Sequence, residues 1–319
     1  VSEITVSVVI PACNRGNYLR EALESVRRQT FSSYEIIVVD DCSSEPIEPI
    51  CRQYRCVYLR NLTCLGAQKS RNIGLALAQG EYIAFLDSDD IWSDTTKLQQ
   101  QFESLERSKD YVLCFSRYST IDENGDITGT SLSLPIPAST FQATPTLLRK
   151  DIIGTYSGVL IRKSALVNVN GCDENLPARQ DWDLWVRLST QGLFSFLNQS
   201  LFQYRIHQNQ ISTDPSKKIR GTAQFLAKHA SLFKMNRLGF DLFLHELKLY
   251  ILLYLSSSNS EVPAPYYRIA KQISFVLTAL VRLFIMIPLM RSVVVYCLNK
   301  TYFFRGALSL KGSSINSLN

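Results

Sequence analysis

Apolar and polar positions switch between two periods along the first ninety residues. "ITVSVVIPA" is a β-branched run of strand length, apolar enough for a strand buried on both faces. In "NYLREALESVRRQ", Tyr18, Leu19, Ala22, Leu23 and Val26 recur at helical spacing with charges between them. "YEIIVVDD" predicts a second buried strand ending in carboxylates, and "CVYLRN" a third. "GAQKSRNIGLALAQG" predicts a helix flanked by glycines, and "EYIAFLD" a fourth strand. This alternation predicts an α/β, Rossmann-like, doubly wound and mostly parallel sheet. Ligands of such sheets bind beyond the carboxyl ends of the strands. Pro11–Asn14, Asp40–Ser43 and Asp87–Asp90 all follow strand ends, so they should converge on one edge of the sheet.

Residues 111–210 read as mixed strands and loops, with a shorter helix near 181–190. From Lys217 the character changes to long apolar helical stretches with basic punctuation, interrupted by the linker signal "SSSNSEVPAPYY". We expect a catalytic domain over 1–215 and a basic, apolar helical region over 216–319. The net charge of +6 conceals this division. Residues 217–319 carry 14 Lys and Arg against 3 Asp and Glu, and residues 1–216 carry 20 against 25. A basic half rich in Leu, Ile, Val and Phe does not suit nucleic acid; it suits an anionic lipid surface. Ser274–Leu298 is apolar but broken by Arg282, Pro288 and Arg291. A central Arg costs about 2.5–3.5 kcal/mol on insertion, which disfavours a clean span. Peripheral membrane contact through 217–311, at the cytoplasmic face, is the expectation. Packing on the catalytic domain or a homodimer surface is the alternative.

At 46% hydrophobic and 19% charged residues, the chain is globular rather than disordered. Its eight cysteines are scattered, with no Cys-x-x-Cys and no zinc-ligand spacing. They read as buried or incidental thiols of a reducing compartment. No signal peptide is visible, which with the thiols makes a cytoplasmic location the expectation.

The chemistry gathers in "EYIAFLDSDDIW", where an apolar strand meets Asp87, Asp89 and Asp90. Three explanations fit such a cluster. Asp and Ser are good turn and cap residues, with Asp94 a cap for a helix starting at Thr95. A carboxylate pair can act as acid and base. A divalent cation with hard-oxygen ligands, Mg2+ or Mn2+, makes crowded negative charge favourable and leaves positions for phosphate oxygens. The third explanation accounts best for the crowding.

"VSVVIPACNRGNYLREALESVRRQTFSSYEIIVVDDCS", "NLTCLGAQKSRNIGLALAQGEYIAFLDSDDIW", "GCDENLPARQDWDLWVRLS" and "YRIHQNQIS" together resemble glycosyltransferase family 2, over roughly residues 4–213. The resemblance implies a GT-A fold and an inverting transfer from a nucleotide-activated sugar, UDP favoured, to an acceptor hydroxyl. It implies a glycan or lipid-linked acceptor in polysaccharide or glycolipid assembly. By the same resemblance Pro11, Ala12 and Asn14 wrap the nucleoside, and Asp41 accepts a hydrogen bond from the base. Asp40 stabilises the turn. Arg71 meets the diphosphate or the Asp cluster. Asp87 and Ser88 sit by the ribose or the metal's shell, Asp89 is the metal ligand, and His207 joins the metal or the diphosphate. Asp181 stands at the position of the catalytic base, with Gln180 replacing the family's usual Glu. Asp183, two residues on, points away from Asp181 in a helix. Trp182 either stacks on a sugar or packs, and Leu184, Trp185 and Leu188 are core. Gly154, Tyr156 and Ser157 are expected on the acceptor side. His229 and His245 read as ordinary.

Two other readings compete. A sugar-nucleotide pyrophosphorylase would open with a Gly-rich basic loop, which "PACNRGNYL" does not resemble. A non-catalytic sugar-nucleotide-binding scaffold would have no need of Asp181.

Overall fold

The computed structural model describes residues 4–130, 139–207 and 214–256. Its first part alternates β1 (Val6–Ala12), α1 (Gly16–Arg27), β2 (Tyr34–Asp40), α2 (Glu48–Gln53), β3 (Val57–Arg60), α3 (Ala67–Leu77) and β4 (Tyr82–Phe85). The four expected strands are present, and α2 is a helix the apolar pattern did not announce. β1 is buried throughout. It pairs in parallel with β2 on one side and β4 on the other. On α1, Leu19, Ala22, Leu23 and Val26 are buried. Each of the larger three contributes about 1.5–3 kcal/mol at most. α3 lies so close to β1 that a Cβ at Gly74 would collide with Val9.

The alternation then breaks. α4 (Lys97–Glu106), β5 (Tyr111–Ile121), β6 (Ile127–Thr130), β7 (Thr140–Phe141), α5 (Thr144–Arg149), a 3-10 turn (Tyr156–Gly158), β8 (Val159–Arg162), α6 (Lys163–Asn168), α7 (Gln180–Leu188) and β9 (Leu193–Arg205) follow. The sheet runs β3-β2-β1-β4-β8-β5-β9-β7, with β6 on β5. β3, β2, β1 and β4 form a parallel half. β8 is antiparallel to both β4 and β5, so the sheet is more mixed than the first ninety residues suggest. The chain reverses strand order at β1, between β2 and β4, and such a switch point opens a crevice at the strand ends.

β1 runs through Pro11 and Ala12, which pair with Val39 and Asp40. The expected loop Pro11–Asn14 is therefore Cys13–Arg15, and Pro11 and Ala12 are buried strand residues. Proline is tolerated there because β4 pairs only as far as Val9, so the missing N–H faces no ladder partner. Asp94 accepts the Thr96 N–H at 2.7 Å in the turn before α4, but the helix starts at Lys97 with Thr96 at its N-cap, so Asp94 is not the cap expected of it.

The chain folds into two compact units, Val1–Leu176 with Gln180–His207, and Pro177–Arg179 with Gln208–Asn319. In the second, α8 (Pro215–Met235) and α9 (Gly239–Ser256) are described. The Asp214 side chain caps α8, accepting from the Ser216 and Lys217 N–H groups. His229 packs against Phe225 and His245 against Phe233, ordinary ring contacts. Among the described residues no helix is long and apolar enough to cross a membrane. The segment Ser274–Leu298 lies outside the described residues.

Candidate active site

The loop after β1 and the loop after β2 are zipped together. The Asp41 N–H donates to the Ala12 carbonyl at 2.7 Å. The Asn14 N–H donates to Ser43 Oγ at 2.8 Å, and Asn14 Oδ1 accepts from the Ser44 N–H and hydroxyl. Asn14 and Arg15 are both left-handed, at φ 58° and 57°. That conformation is uncommon outside glycine and clusters at functional sites. The Asn14 bonds to Ser43 and Ser44 hold it in place.

Asp41 organises the third side of this corner. Its Oδ1 accepts the Leu65 N–H at 2.7 Å and the Asn61 amide at 3.0 Å, and its Oδ2 accepts the Gly66 N–H at 2.8 Å. Gly66 makes that approach at φ 90°, a conformation that favours glycine. Asp40 is buried and accepts from the Ser43 N–H and the Tyr58 hydroxyl, the turn-stabilising role expected of it.

A disulfide, Cys42–Cys64, fastens the Asp41 loop to the segment that donates to it, with the Cα atoms 5.0 Å apart. This corrects the reading of every cysteine as a thiol and withdraws the support that reading lent to a reducing compartment. Spacing alone gave no signal, because α2 and β3 intervene and only the fold brings the pair together. The bond closes a span of 22 residues. Reduction is expected to lower the unfolding free energy by about 3 kcal/mol. Urea titration with and without dithiothreitol measures this, and identical midpoints would rule the crosslink out.

The β4 end carries the carboxylate cluster. A turn closes from the Asp90 N–H to the Asp87 carbonyl at 3.0 Å, with Ser88 inside it. Asp87 is ion-paired with Arg71, and its backbone N–H donates to Ser157 Oγ at 3.0 Å. Burial pushes the Asp87 carboxyl up, Arg71 opposes it, and Asp89 adds to the rise. Arg71 is itself buried, its guanidinium 3.8 Å from the Tyr156 ring centroid, and its Nε has no hydrogen-bond partner among the described residues. Asp90 is fully buried. It accepts from Ser157 Oγ at 2.5 Å and the Arg205 N–H at 3.0 Å, so it ties β9 and the 3-10 turn to the cluster. Burial first, then Asp89 and Asp87, push its carboxyl well up.

Asp89 Oδ2 lies 2.9 Å from His207 Nε2 and 3.1 Å from Arg15 Nη1. Arg15 Nη1 is also 3.1 Å from His207 Nε2. Arg205, almost fully buried, donates from Nε to the Asp89 carbonyl at 2.9 Å and reaches Glu21 and the Asp122 and Glu123 carbonyls. A carboxylate oxygen and an imidazole nitrogen thus converge, a hard and a borderline donor that suit a divalent ion such as Mn2+ completed by phosphate oxygens and water. No group of three or more His, Cys, Asp or Glu among the described residues gathers to hold an ion by itself. The residues fit an ion bound jointly with a ligand.

Asp181 lies in the first turn of α7 and accepts the Trp182 N–H at 2.8 Å. Burial pushes the Tyr156 hydroxyl well up, and the charge of Asp181 adds to the rise. Gln180 donates from Nε2 to the Leu176 carbonyl at 2.7 Å, a bond the family's usual Glu could not make when ionised. Asp183 is buried in an ion pair with Arg187, and Trp182 is buried with its indole N–H on the Leu147 carbonyl. Both are structural. Ser157 and Tyr156 are buried too, and they support the Asp cluster and Arg71 instead of lining an acceptor surface. Sequence reasoning missed Arg15 and Arg205. Each lies in a block that carries the resemblance, but only the fold reveals that they meet Asp89.

The chain is similar to known proteins in sequence and in fold. The model for "Glycosyl transferase family 2" matches residues 7–169. The putative teichuronic acid biosynthesis glycosyltransferase TuaG of Bacillus subtilis is 34% identical over 226 residues, 68% of this chain and 85% of that protein. The UDP-Glc:alpha-D-GlcNAc-diphosphoundecaprenol beta-1,3-glucosyltransferase WfaP of Escherichia coli is 30% identical over 221 residues, 67% of this chain and 82% of that one. Among solved structures, S. aureus TarS 1-349 superposes with a TM-score of 0.57 at 19% identity, over 70% of this chain and 64% of that chain. The mannosyltransferase PcManGT from Pyrobaculum calidifontis, in complex with GDP-Man and Mn2+, gives 0.56 at 15% identity, over 90% and 82%. At such identities the two structures establish the GT-A-like fold.

Proposed function

The chain belongs to glycosyl transferase family 2, and we propose that it moves a sugar from a UDP-linked donor, with inversion, to a hydroxyl of a glycan or lipid-linked acceptor in polysaccharide or glycolipid assembly. The observation that carries this reading is the convergence of Asp41, Asp87, Asp89 and His207 on one end of the parallel half-sheet. The activities named for the relatives support it: teichuronic acid biosynthesis for TuaG, and a UDP-Glc donor with a diphosphoundecaprenol acceptor for WfaP.

Asp41 Oδ2 accepts one backbone N–H from the protein and keeps a lone pair for a ring N–H of the base. Asn14 and the Cys13–Arg15 turn lie beside it, at the nucleoside, with Pro11 and Ala12 beneath as strand support. Asp87 and Ser88 face the ribose side of the donor. Arg71, fixed on Asp87, adds positive charge beneath the diphosphate. Asp89 and His207 would hold Mn2+ or Mg2+, which when bound supplies charge to stabilise the leaving diphosphate. Asp181 takes the proton of the acceptor hydroxyl as that oxygen attacks the anomeric carbon. Residues 217–311, basic and apolar, would contact the cytoplasmic face of a membrane, which suits a lipid-linked acceptor.

Calorimetric titration with UDP, with and without Mn2+, tests the reading. Micromolar UDP binding that requires Mn2+ is expected. Failure of UDP, dTDP and GDP alike would sink the donor assignment.

A further inference from the structure

We propose that Arg15 gates the metal position. In the absence of donor it bridges Asp89 and His207, and it yields them when a divalent cation arrives together with a nucleoside diphosphate, turning its guanidinium to the diphosphate. This rests on the metal-dependent reading above and assigns a positioning role to a residue outside the family's ligand set.

Asp89 Oδ2 and His207 Nε2 are 2.9 Å apart, and Arg15 Nη1 is 3.1 Å from each. One guanidinium nitrogen carries two hydrogens and can donate to both. In the tautomer with the proton on Nδ1, the carboxylate oxygen and Nε2 are both acceptors. It is the tautomer in which Nε2 can take the Arg15 N–H, since a guanidinium only donates, and two acceptors so close are then held by a bridging cation. A divalent ion requires those same two atoms in that same state. Arg15 therefore serves, with one positive charge, the pair that the ion would serve with two.

The two arginines that ion-pair with the cluster's carboxylates differ in exposure. The Arg71 side chain on Asp87 is 5% exposed, whereas the Arg15 side chain on Asp89 is 34% exposed. The first is an enclosed counterion; the second has solvent beside it. Arg15 also occupies the N-cap position of α1, yet its side chain makes no capping bond there. Its left-handed backbone is braced through Asn14, and its carbonyl accepts the Leu19 N–H of α1, so the backbone stays fixed while the side chain is committed to the cluster.

Charge balance gives the coupling. Asp89 with Arg15 is neutral, so an ion arriving alone must displace a cation and leave excess positive charge nearby. A diphosphate removes that excess and gives the displaced guanidinium an anionic partner.

Electron paramagnetic resonance of free Mn2+ tests this without turnover. Arg15→Met and Arg15→Gln should each bind Mn2+ in the absence of UDP at least tenfold more tightly than the wild type. Arg15→Lys should stay close to wild type. The factor by which UDP tightens Mn2+ binding should shrink in the two uncharged variants. Circular dichroism confirms that each variant is folded. Equal or weaker Mn2+ binding by both uncharged variants without UDP overturns the gate. If the wild type takes up no Mn2+ at any UDP concentration, the metal reading falls and takes the gate with it. That pattern differs from UDP-dependent uptake of equal strength in every protein, which overturns the gate alone.

Discussion

Asp181→Asn is expected to lower kcat by about 10²–10⁴-fold while leaving UDP affinity within twofold of wild type. Attack on the anomeric carbon requires a group that accepts the acceptor's hydroxyl proton, and an amide cannot. The substitution is nearly isosteric. Its amide oxygen can still accept the Trp182 N–H, so the first turn of α7 should survive. Asp41, Asp89 and His207 keep their own bonds to Gly66 and to one another when Asp181 becomes an amide of the same shape, so the donor end should not register the change. Initial rates of sugar transfer, paired with UDP calorimetry on the same protein, separate the two effects. Unchanged turnover would remove Asp181 from the chemistry. A parallel loss of UDP binding would make it part of the donor site.

The parallel half of the fold was legible because β1, β4 and most of β2 are buried on both faces, with only the short edge strand β3 half-exposed. The continuous apolar runs of β1 and β2 follow directly from that burial. Their ends were legible for the same reason, since Asp40, Asp41 and Asp87 are the first carboxylates after apolar runs. The antiparallel middle was not, because β8 is four residues long and pairs with β4 and β5, which lie far from it in sequence. The site divides in the same way. Asp41, Asp89, His207 and Asp181 stand in recognisable blocks. Arg15, a loop arginine at a helix start, looks like any surface charge until Asp89, 74 residues away, is placed beside it. The Cys42–Cys64 bond was hidden by the same kind of separation. Asp90, Asp183 and Trp182 show the converse. They belong to conspicuous motifs, yet burial and hydrogen bonding commit them to structure.

Asp89→Ala is expected to abolish the Mn2+-dependence of UDP binding and to lower kcat/KM by about 10³-fold or more. A preorganised charge acting on a leaving group typically contributes 10²–10³-fold, and here the substitution removes an ion's carboxylate anchor as well. A thousandfold loss corresponds to about 4 kcal/mol of transition-state stabilisation. Stability should respond in the other direction or hardly at all. Asp89 is one of the charges that push the buried Asp87 and Asp90 carboxyls up, so its removal relieves them. Against that relief stand the lost ion pair with Arg15, which is partly exposed and worth about 1 kcal/mol or less, and the lost contact with the buried His207. Unfolding in urea should therefore give a midpoint close to wild type, while UDP calorimetry with Mn2+ gives the same weak binding as without it. A variant that unfolds early would make Asp89 a structural residue. A variant that still binds UDP more tightly with Mn2+ than without it would move the metal away from Asp89, and with it the cation-bridging role of Arg15 and His207.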